Sequence, residues 1–363
     1  MTQKVALITG IGGQDGSYLA EFLLEKGYKV RGIIRRASLP NTKRFEHLIR
    51  KYGDSDDGPN ASFSVKYADL TDAQSLRNVI NKFKPDEIYN LAAQSHVGIS
   101  FDNAESTLNI NAIGPLRILE VLRQSYPQIK YYQASSSEMF GISPPPQSES
   151  TPMLPQSPYG IAKLAAYHLT RLYRNAYGIF ACNGILFNHE SPRRGYNFVT
   201  RKITKELARI VTGEIDKIIL GNLDAKRDWG YSKEYIEAMW AILQQDKPDD
   251  YVIATEETHT VRDFLKEAFS LVGLNYEDYL VQSDKFHRPA EVPALLGDAT
   301  KAKTKLNWNP QVKFKELTYM MVEADLKEKF EESGIIPIQP GIIRSQGYYL
   351  DKAKEIMSSR LNK

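Results

Sequence analysis

Val5-Ala6-Leu7-Ile8-Thr9, followed by Gly10-Ile11-Gly12-Gly13-Gln14-Asp15-Gly16, is the stretch that decides the fold. A short, continuous apolar run is the pattern of a strand buried on both faces, as in a parallel sheet. Glycines at 10, 13 and 16 then give a G-x-x-G-x-x-G spacing, and Leu19, Phe22 and Leu23 mark a helix face behind them. Gly27 falls where a left-handed helix end is expected. A strand-to-helix turn free of Cβ atoms lets the helix N-terminus approach a pyrophosphate. Glycines also serve ordinary turns, so the reading depends on the strand before, the helix after and the sheet that follows.

Working outward, strand patterns recur at 30–34, 63–67, 88–92 and 130–134, with a helix start at Thr71-Asp72 and a helical pattern at 116–123. This β-α repetition predicts the α/β class, a Rossmann doubly wound parallel sheet. The second half is less regular, with helices expected at 200–212, 233–244, 261–272 and 314–330 and strands at 217–220 and 251–254. The expected division is a dinucleotide-binding domain over 1–186, to which 225–255 returns, and a smaller mixed α/β substrate domain from 187–224 and 256–335. Residues 54–60 read as an exposed loop. Residues 143–155 carry five prolines and either cover a pocket or form a plain surface connection. The tail, 336–363, either packs as a terminal helix or stays mobile.

Lys plus Arg number 47 against 44 Asp plus Glu, a net charge of +3 over 363 residues, which gives no general field for nucleic acid or an anionic membrane. No apolar stretch approaches the length of a membrane span, and no cleavable leader precedes the first strand, so a cytoplasmic enzyme is expected. The single cysteine, Cys182, lies in an apolar run and reads as a packed core thiol. The histidines are scattered, and His189-Glu190 lacks the second histidine of a zinc-protease helix, so no metal is expected.

The end of the second strand separates the two nicotinamide dinucleotides. An acidic residue there suits a free ribose 2′-hydroxyl, whereas Arg35-Arg36-Ala37-Ser38 suits a 2′-phosphate, so NADP is favoured over a merely solvated basic turn. Asp69-Leu70 follows the third strand, where a carboxylate suits an adenine amino group. Leu91, Ala93 and Ser95 follow the fourth, where small residues let a cofactor lie against the backbone.

Tyr159 and Lys163 stand at i, i+4 on one helix face. A nearby ammonium is expected to lower the tyrosine pKa from about 10, so that the phenolate removes a proton from a sugar hydroxyl as hydride leaves the same carbon. Ser135-Ser136-Ser137-Glu138 follows the fifth strand, at the carboxyl edge where Rossmann ligands bind. A dinucleotide sensor that had lost catalysis would show gaps among Ser136, Glu138, Tyr159 and Lys163; none is present.

Together the glycine loop, the serine run and Y-x-x-x-K resemble the extended short-chain dehydrogenase/reductase family. Gln14 to Leu19, Asn188 to Gly195, Asn197 to Lys202 and Gly221 to Trp229 narrow the resemblance to the GDP-mannose 4,6-dehydratase family, over Val5 to about Leu326. What it implies is a redox-neutral dehydration of GDP-mannose. Tyr159 deprotonates the 4-hydroxyl as hydride passes to NADP, and Ser136 holds the C4 oxygen. Lys163 holds the nicotinamide ribose, Glu138 removes the C5 proton, and water leaves C6 before the hydride returns there. An epimerase or dehydratase acting on another nucleotide sugar is the alternative. The resemblance also implies cofactor contacts from Gly10, Gly13, Gln14, Asp15, Gly16, Ser106, His189 and Arg194. It implies substrate contacts from Ser95, Asn188, Val199, Lys202, Arg227, Arg288 and Glu291, and a homodimer or homotetramer. Residues 35–42 resemble a segment that reaches a neighbouring subunit in the tetramers. Gly12 departs from the family, which usually has threonine there.

Overall fold

A computed structural model describes residues 3–38, 41–53, 61–283, 289–337 and 344–361. The strands are β1 (Val5–Thr9), β2 (Lys29–Ile34), β3 (Phe63–Tyr67), β4 (Glu87–Asn90), β5 (Lys130–Ser136), β6 (Ala181–Leu186), β7 (Asn188–Glu190), β8 (Ile218–Leu220), β9 (Lys226–Tyr231), β10 (Asp250–Ile253), β11 (Thr258–Thr260) and β12 (Leu280–Gln282). The helices are α1 (Gln14–Glu25), α2 (Glu46–Tyr52), α3 (Ala73–Phe83), α4 (Ile99–Asp102), α5 (Ala104–Leu108), α6 (Gly114–Ser125), α7 (Pro158–Tyr177), α8 (Val199–Thr212), α9 (Ser232–Leu243), α10 (Val261–Ser270), α11 (Thr300–Leu306), α12 (Phe314–Glu332) and α13 (Tyr348–Leu361). A π-helical turn, Asn109–Ile113, and 3-10 turns at Ser137–Met139 and Tyr276–Asp278 complete them. The loop expected at 54–60 and Arg288 lie outside the described residues.

Seven parallel strands in the order β10-β6-β5-β4-β1-β2-β3 make the main sheet. The order reverses between β1 and β4, and in such a sheet ligands bind over the carboxyl ends at that point. Both faces are covered. Leu19 and Leu23 of α1 and Ile236 and Met239 of α9 pack on one side. Leu76 and Ile80 of α3 and Ile118 and Leu122 of α6 pack on the other. Each such side chain stabilises the fold by about 1.5–3 kcal/mol.

Several expected boundaries shift by a residue or two. β6, β7, β9, β11 and β12 are strands that periodicity does not single out: β7, β11 and β12 have three residues each, β6 is buried throughout, and β9 opens on three charged residues. Cys182 is buried in β6, and burial pushes its thiol up to about 12. Residues 225–255 divide: β9 joins β7 and β11 in a three-stranded sheet, while α9 and β10 join the Rossmann layers. Val292, Leu295, Ala299, Ala302 and Trp308 also pack with the Rossmann core rather than with the second one. Residues 143–155 form a connection: Gln147 is fully buried and exchanges hydrogen bonds with Leu296 and Asp298.

The second core gathers Ile203 and Leu207 of α8, Phe264 of α10, Leu317 and Met321 of α12, and the tail. The tail packs as α13, because Tyr349, Leu350, Ala353 and Met357 share one buried helical face. Arg360 Nη1 then donates to the Ile210 and Val211 carbonyls at the end of α8, both at 3.1 Å. Among the described residues no helix is long and apolar enough to cross a membrane.

Candidate active site

At the switch point Thr9 Oγ1 accepts from Leu91 N at 3.1 Å and from Ala92 N at 3.0 Å, clamping the ends of β1 and β4 together. Gly10 follows with φ +71, and a Cβ there would lie 2.8 Å from the Ala92 backbone. Gly16 is equally constrained, since its Cβ would fall 2.4 Å from the Gly10 carbonyl oxygen. The Gly13 N–H donates to that same carbonyl at 2.9 Å. α1 starts without a side-chain cap, so its first-turn N–H groups remain available to an anion. The pattern read as a pyrophosphate cradle thus combines close backbone approaches that only glycine permits with an uncapped helix N-terminus.

Beside the switch point lies a cleft of about 650 Å³, walled by the carboxyl ends of β4, β5 and β6 and by the start of α8. Ser136, Glu138, Tyr159 and Lys163 line one part of it. Ser136 caps the 3-10 turn, its Oγ accepting from Glu138 N at 3.3 Å. A Cβ at Gly160 would sit 2.8 Å from the Glu138 carbonyl oxygen, so only glycine lets α7 lie this close to Glu138. Ser157 caps α7 through Gly160 N at 3.0 Å, and Pro158 occupies its first turn. Tyr159 and Lys163 are thereby presented one turn apart, both buried.

Their electrostatics differ from the sequence expectation. Burial pushes the Tyr159 phenol up to about 12, the Ser136 hydrogen bond opposing it and the Glu138 charge adding to it. Lys163 donates to the Ala134 carbonyl at 2.7 Å, and burial brings its ammonium down to about 8. Burial outweighs the opposing influences on Tyr159, so its pKa is raised where the sequence expectation was a lowered one.

Asp15 and His189 form a second pair. His189 Nδ1 donates to the Phe187 carbonyl at 2.7 Å, and Nε2 lies 2.8 Å from Asp15 Oδ2. Burial alone would raise Asp15, but the His189 charge and hydrogen bond override it and hold the carboxyl well below its usual range. Burial likewise opposes the His189 charge, and Asp15 outweighs it, so the imidazole pKa is raised. Both ring nitrogens face acceptors, which requires the imidazolium. The ring stacks on Tyr235, centroids 4.7 Å apart.

Leu91, Ala93, Ser95, Asn188, Arg194, Val199, Lys202, Arg227 and Glu291 also line the cleft. Arg194 Nε is 3.1 Å from the buried Glu190, and its guanidinium lies 3.6 Å from the Phe198 ring centroid. Arg227 donates to Glu291 Oε1 at 2.9 Å and to the Val292 carbonyl at 2.8 Å. Lys202 Nζ donates to the Ile219 carbonyl at 2.6 Å.

Other anticipated positions lie apart from this lining. Arg35, Arg36 and Ser38 are exposed beyond the carboxyl end of β2. Asp69 caps its own turn, accepting from Thr71 N at 2.9 Å, and Leu70 is buried. The Gln14 side chain is buried between Ser191 Oγ, at 2.8 Å, and the His189 carbonyl, at 3.1 Å. Ser106 stands exposed on α5.

Glu190 and His96 are cleft residues to which sequence reasoning assigned no role. His96 Nε2 lies 3.3 Å from the Asn197 carbonyl oxygen, spanning from the β4 end to the loop before α8. Its only sequence signal is its place just after Ser95.

The profile described as GDP-mannose 4,6 dehydratase matches residues 7–321. The chain belongs to the GDP-mannose 4,6-dehydratase family. Within that family it is 58% identical to GDP-mannose 4,6 dehydratase 2 of Arabidopsis thaliana over 329 residues, covering 90% of this chain and 87% of the relative. It is 51% identical to GDP-mannose 4,6 dehydratase of Homo sapiens over 345 residues, covering 90% and 92%. The fold resembles that of dTDP-glucose 4,6-dehydratase from Bacillus anthracis solved with NAD, at TM-score 0.75 and 22% identity over 91% of this chain and 98% of that one.

Proposed function

We propose that the chain is an NADP-dependent lyase that dehydrates GDP-mannose to GDP-4-keto-6-deoxymannose, the first step toward GDP-linked deoxyhexoses. The observation that carries this reading is the convergence of Ser136, Glu138, Tyr159 and Lys163 on one cleft that Lys202, Arg227 and Arg194 also line. Family membership supports the substrate. A nicotinamide dinucleotide bound along the glycine loop supplies a hydride acceptor and, later, a hydride donor.

Tyr159 takes the proton of the sugar 4-hydroxyl, and Ser136 donates to the developing carbonyl oxygen. A phenol near 12 is a poor base precursor at neutral pH; the Ser136 hydrogen bond opposes the burial that raises it, and Lys163 would hold the nicotinamide ribose beside it. Once C4 is a ketone the C5 hydrogen is acidic. Glu138 removes it, the electron pair forms the C5–C6 double bond, and Glu138 passes its proton to the departing C6 hydroxyl as water. After reduction at C6, the proton held by Tyr159 goes to C5, and the enzyme is restored.

Arg35, Arg36 and Ser38, exposed beside the β2 end, support NADP over NAD. Leu108, Ile113, Ile161 and Leu172 are each at least 39% exposed on or beside the neighbouring α5 and α7, which supports self-association as a homodimer or homotetramer. The test is to incubate purified protein with NADP and GDP-mannose, UDP-glucose or dTDP-glucose. A 4-keto-6-deoxy product from the GDP sugar, without net cofactor reduction, is expected; product from UDP- or dTDP-glucose alone would sink the assignment.

A further inference from the structure

Residues 41–45 lead from the end of β2 into α2 and lie against the glycine loop. Their turn is fixed from inside: the Thr42 carbonyl accepts from Phe45 N at 2.8 Å and Glu46 N at 2.9 Å, and Phe45 is fully buried beside Phe63. Arg44, next to this anchor, is partly buried. Its Nη1 donates to the Gly12 carbonyl at 3.1 Å, and its Nε donates to the Arg193 carbonyl at 3.0 Å. One guanidinium thus joins the glycine loop to the loop that delivers Arg194 to the cleft.

Two independent features agree with this. A Cβ at Gly12 would lie 3.0 Å from the Asn41 carbonyl oxygen, so glycine at this position gives the 41–45 turn its room. Among the described residues no carboxylate lies within salt-bridge distance of Arg44, while Arg193 and Arg201 add like charge around it. Burying a guanidinium on two neutral carbonyls, in cationic company, is unfavourable unless an anion is expected nearby.

We propose that Arg44 is a positioning residue for the dinucleotide: it holds the glycine loop against the Arg194 loop from behind and adds uncompensated positive charge there. The proposal rests on the nicotinamide-dinucleotide reading above. It is tested by NADPH fluorescence titration of the full chain, alongside kcat at saturating NADP. Arg44→Ala should weaken NADPH about tenfold, as expected for a lost hydrogen-bonded charge, and leave kcat within about threefold. Arg44→Lys keeps the charge but not the two-directional fork, and should recover only part of that affinity. If Arg44→Ala does not fold, Gly12→Ala presses on the same contact from the other side and should weaken NADPH with kcat preserved. NADPH affinity within twofold of wild type in Arg44→Ala, or in Gly12→Ala, overturns the proposal. So does full rescue by lysine, which would make charge alone sufficient. Wild-type protein that binds no nicotinamide dinucleotide overturns the cofactor reading itself, before any variant is compared.

Discussion

The two sides of the cleft are built differently. Ser136, Glu138, Tyr159 and Lys163 come from one strand end, the 3-10 turn after it and the first two turns of one helix, within 28 residues of chain. Asn188, Val199, Lys202, Arg227 and Glu291 come from four separate segments spread over more than 100 residues. In the first group Glu138, Tyr159 and Lys163 are buried, and burial displaces the pKa values of Tyr159 and Lys163. In the second, Lys202 and Arg227 are held by hydrogen bonds to backbone carbonyls and, for Arg227, to Glu291. A rigid, desolvated wall suits chemistry, and an assembled, cationic wall suits binding. The difference makes a simple forecast: changes on the first side should act on kcat, and changes on the second on KM.

The sharpest attack on that contrast is Glu138→Gln. With its base neutralised, dehydration should fall by about a thousandfold or more, a loss typical of removing a general base and its charge together. NADPH affinity should stay within threefold, as read by titration. An equal loss of cofactor affinity would place Glu138 in a structural role instead.

Lys163→Met tests whether the chemical side is built at the expense of stability. The folded-state ammonium titrates near 8 against 10.5 for an exposed lysine, so the folded state resists the charge. Between those values the unfolded chain binds the proton and the native one does not, so stability rises with pH across that window. Methionine should therefore stabilise the fold at pH 7, by on the order of 1–3 kcal/mol less the lost Ala134 bond, and so raise Tm, while abolishing turnover. The gain should shrink as pH rises from about 8 to 10.5. A lower Tm for the variant at pH 7 would contradict the desolvation account.

On the binding side, Lys202→Ala should raise KM for GDP-mannose about tenfold with kcat within threefold, as initial-rate kinetics would show. A kcat effect larger than the KM effect would erase the distinction between the walls.

The smallest effect belongs to the Asp15–His189 pair beneath both. Its raised imidazole pKa means the His189 contribution is fully present below about 6.5 and is lost as pH climbs through the folded value. The depressed Asp15 works in the other direction, contributing above its ordinary value and fading only as pH falls through the lowered one. His189→Gln should cost about 1 kcal/mol near pH 6 and less at pH 8, measured by denaturant unfolding. A pH-independent loss would show that stacking on Tyr235, not charge, is what the histidine provides.

The same contrast explains what was legible in sequence. Glycine spacing, apolar runs and a tyrosine-lysine pair are local patterns, and each maps onto one element or one turn. The floor of the site could therefore be placed from β1, β5 and the start of α7 alone. Arg227 and Glu291 meet across 64 residues, and Arg44 meets Gly12 and Arg193 across 32 and 149. No local pattern encodes such meetings, and only the resemblance put Arg227 and Glu291 in one site. Desolvation was illegible for a related reason. The i, i+4 spacing shows that Tyr159 and Lys163 are neighbours, but not that both are buried, and burial decides the sign of each shift.

The central claim is that oxidation, elimination and reduction occur on one sugar without net redox change. It is tested most directly with GDP-mannose carrying deuterium at C4, turned over by the wild-type protein with unlabelled NADP. The account predicts a product lighter by one water, with the deuterium retained and found at C6 by mass spectrometry and NMR, and no rise in NADPH absorbance. Deuterium lost to the cofactor pool, or NADPH accumulating in step with product, would contradict it.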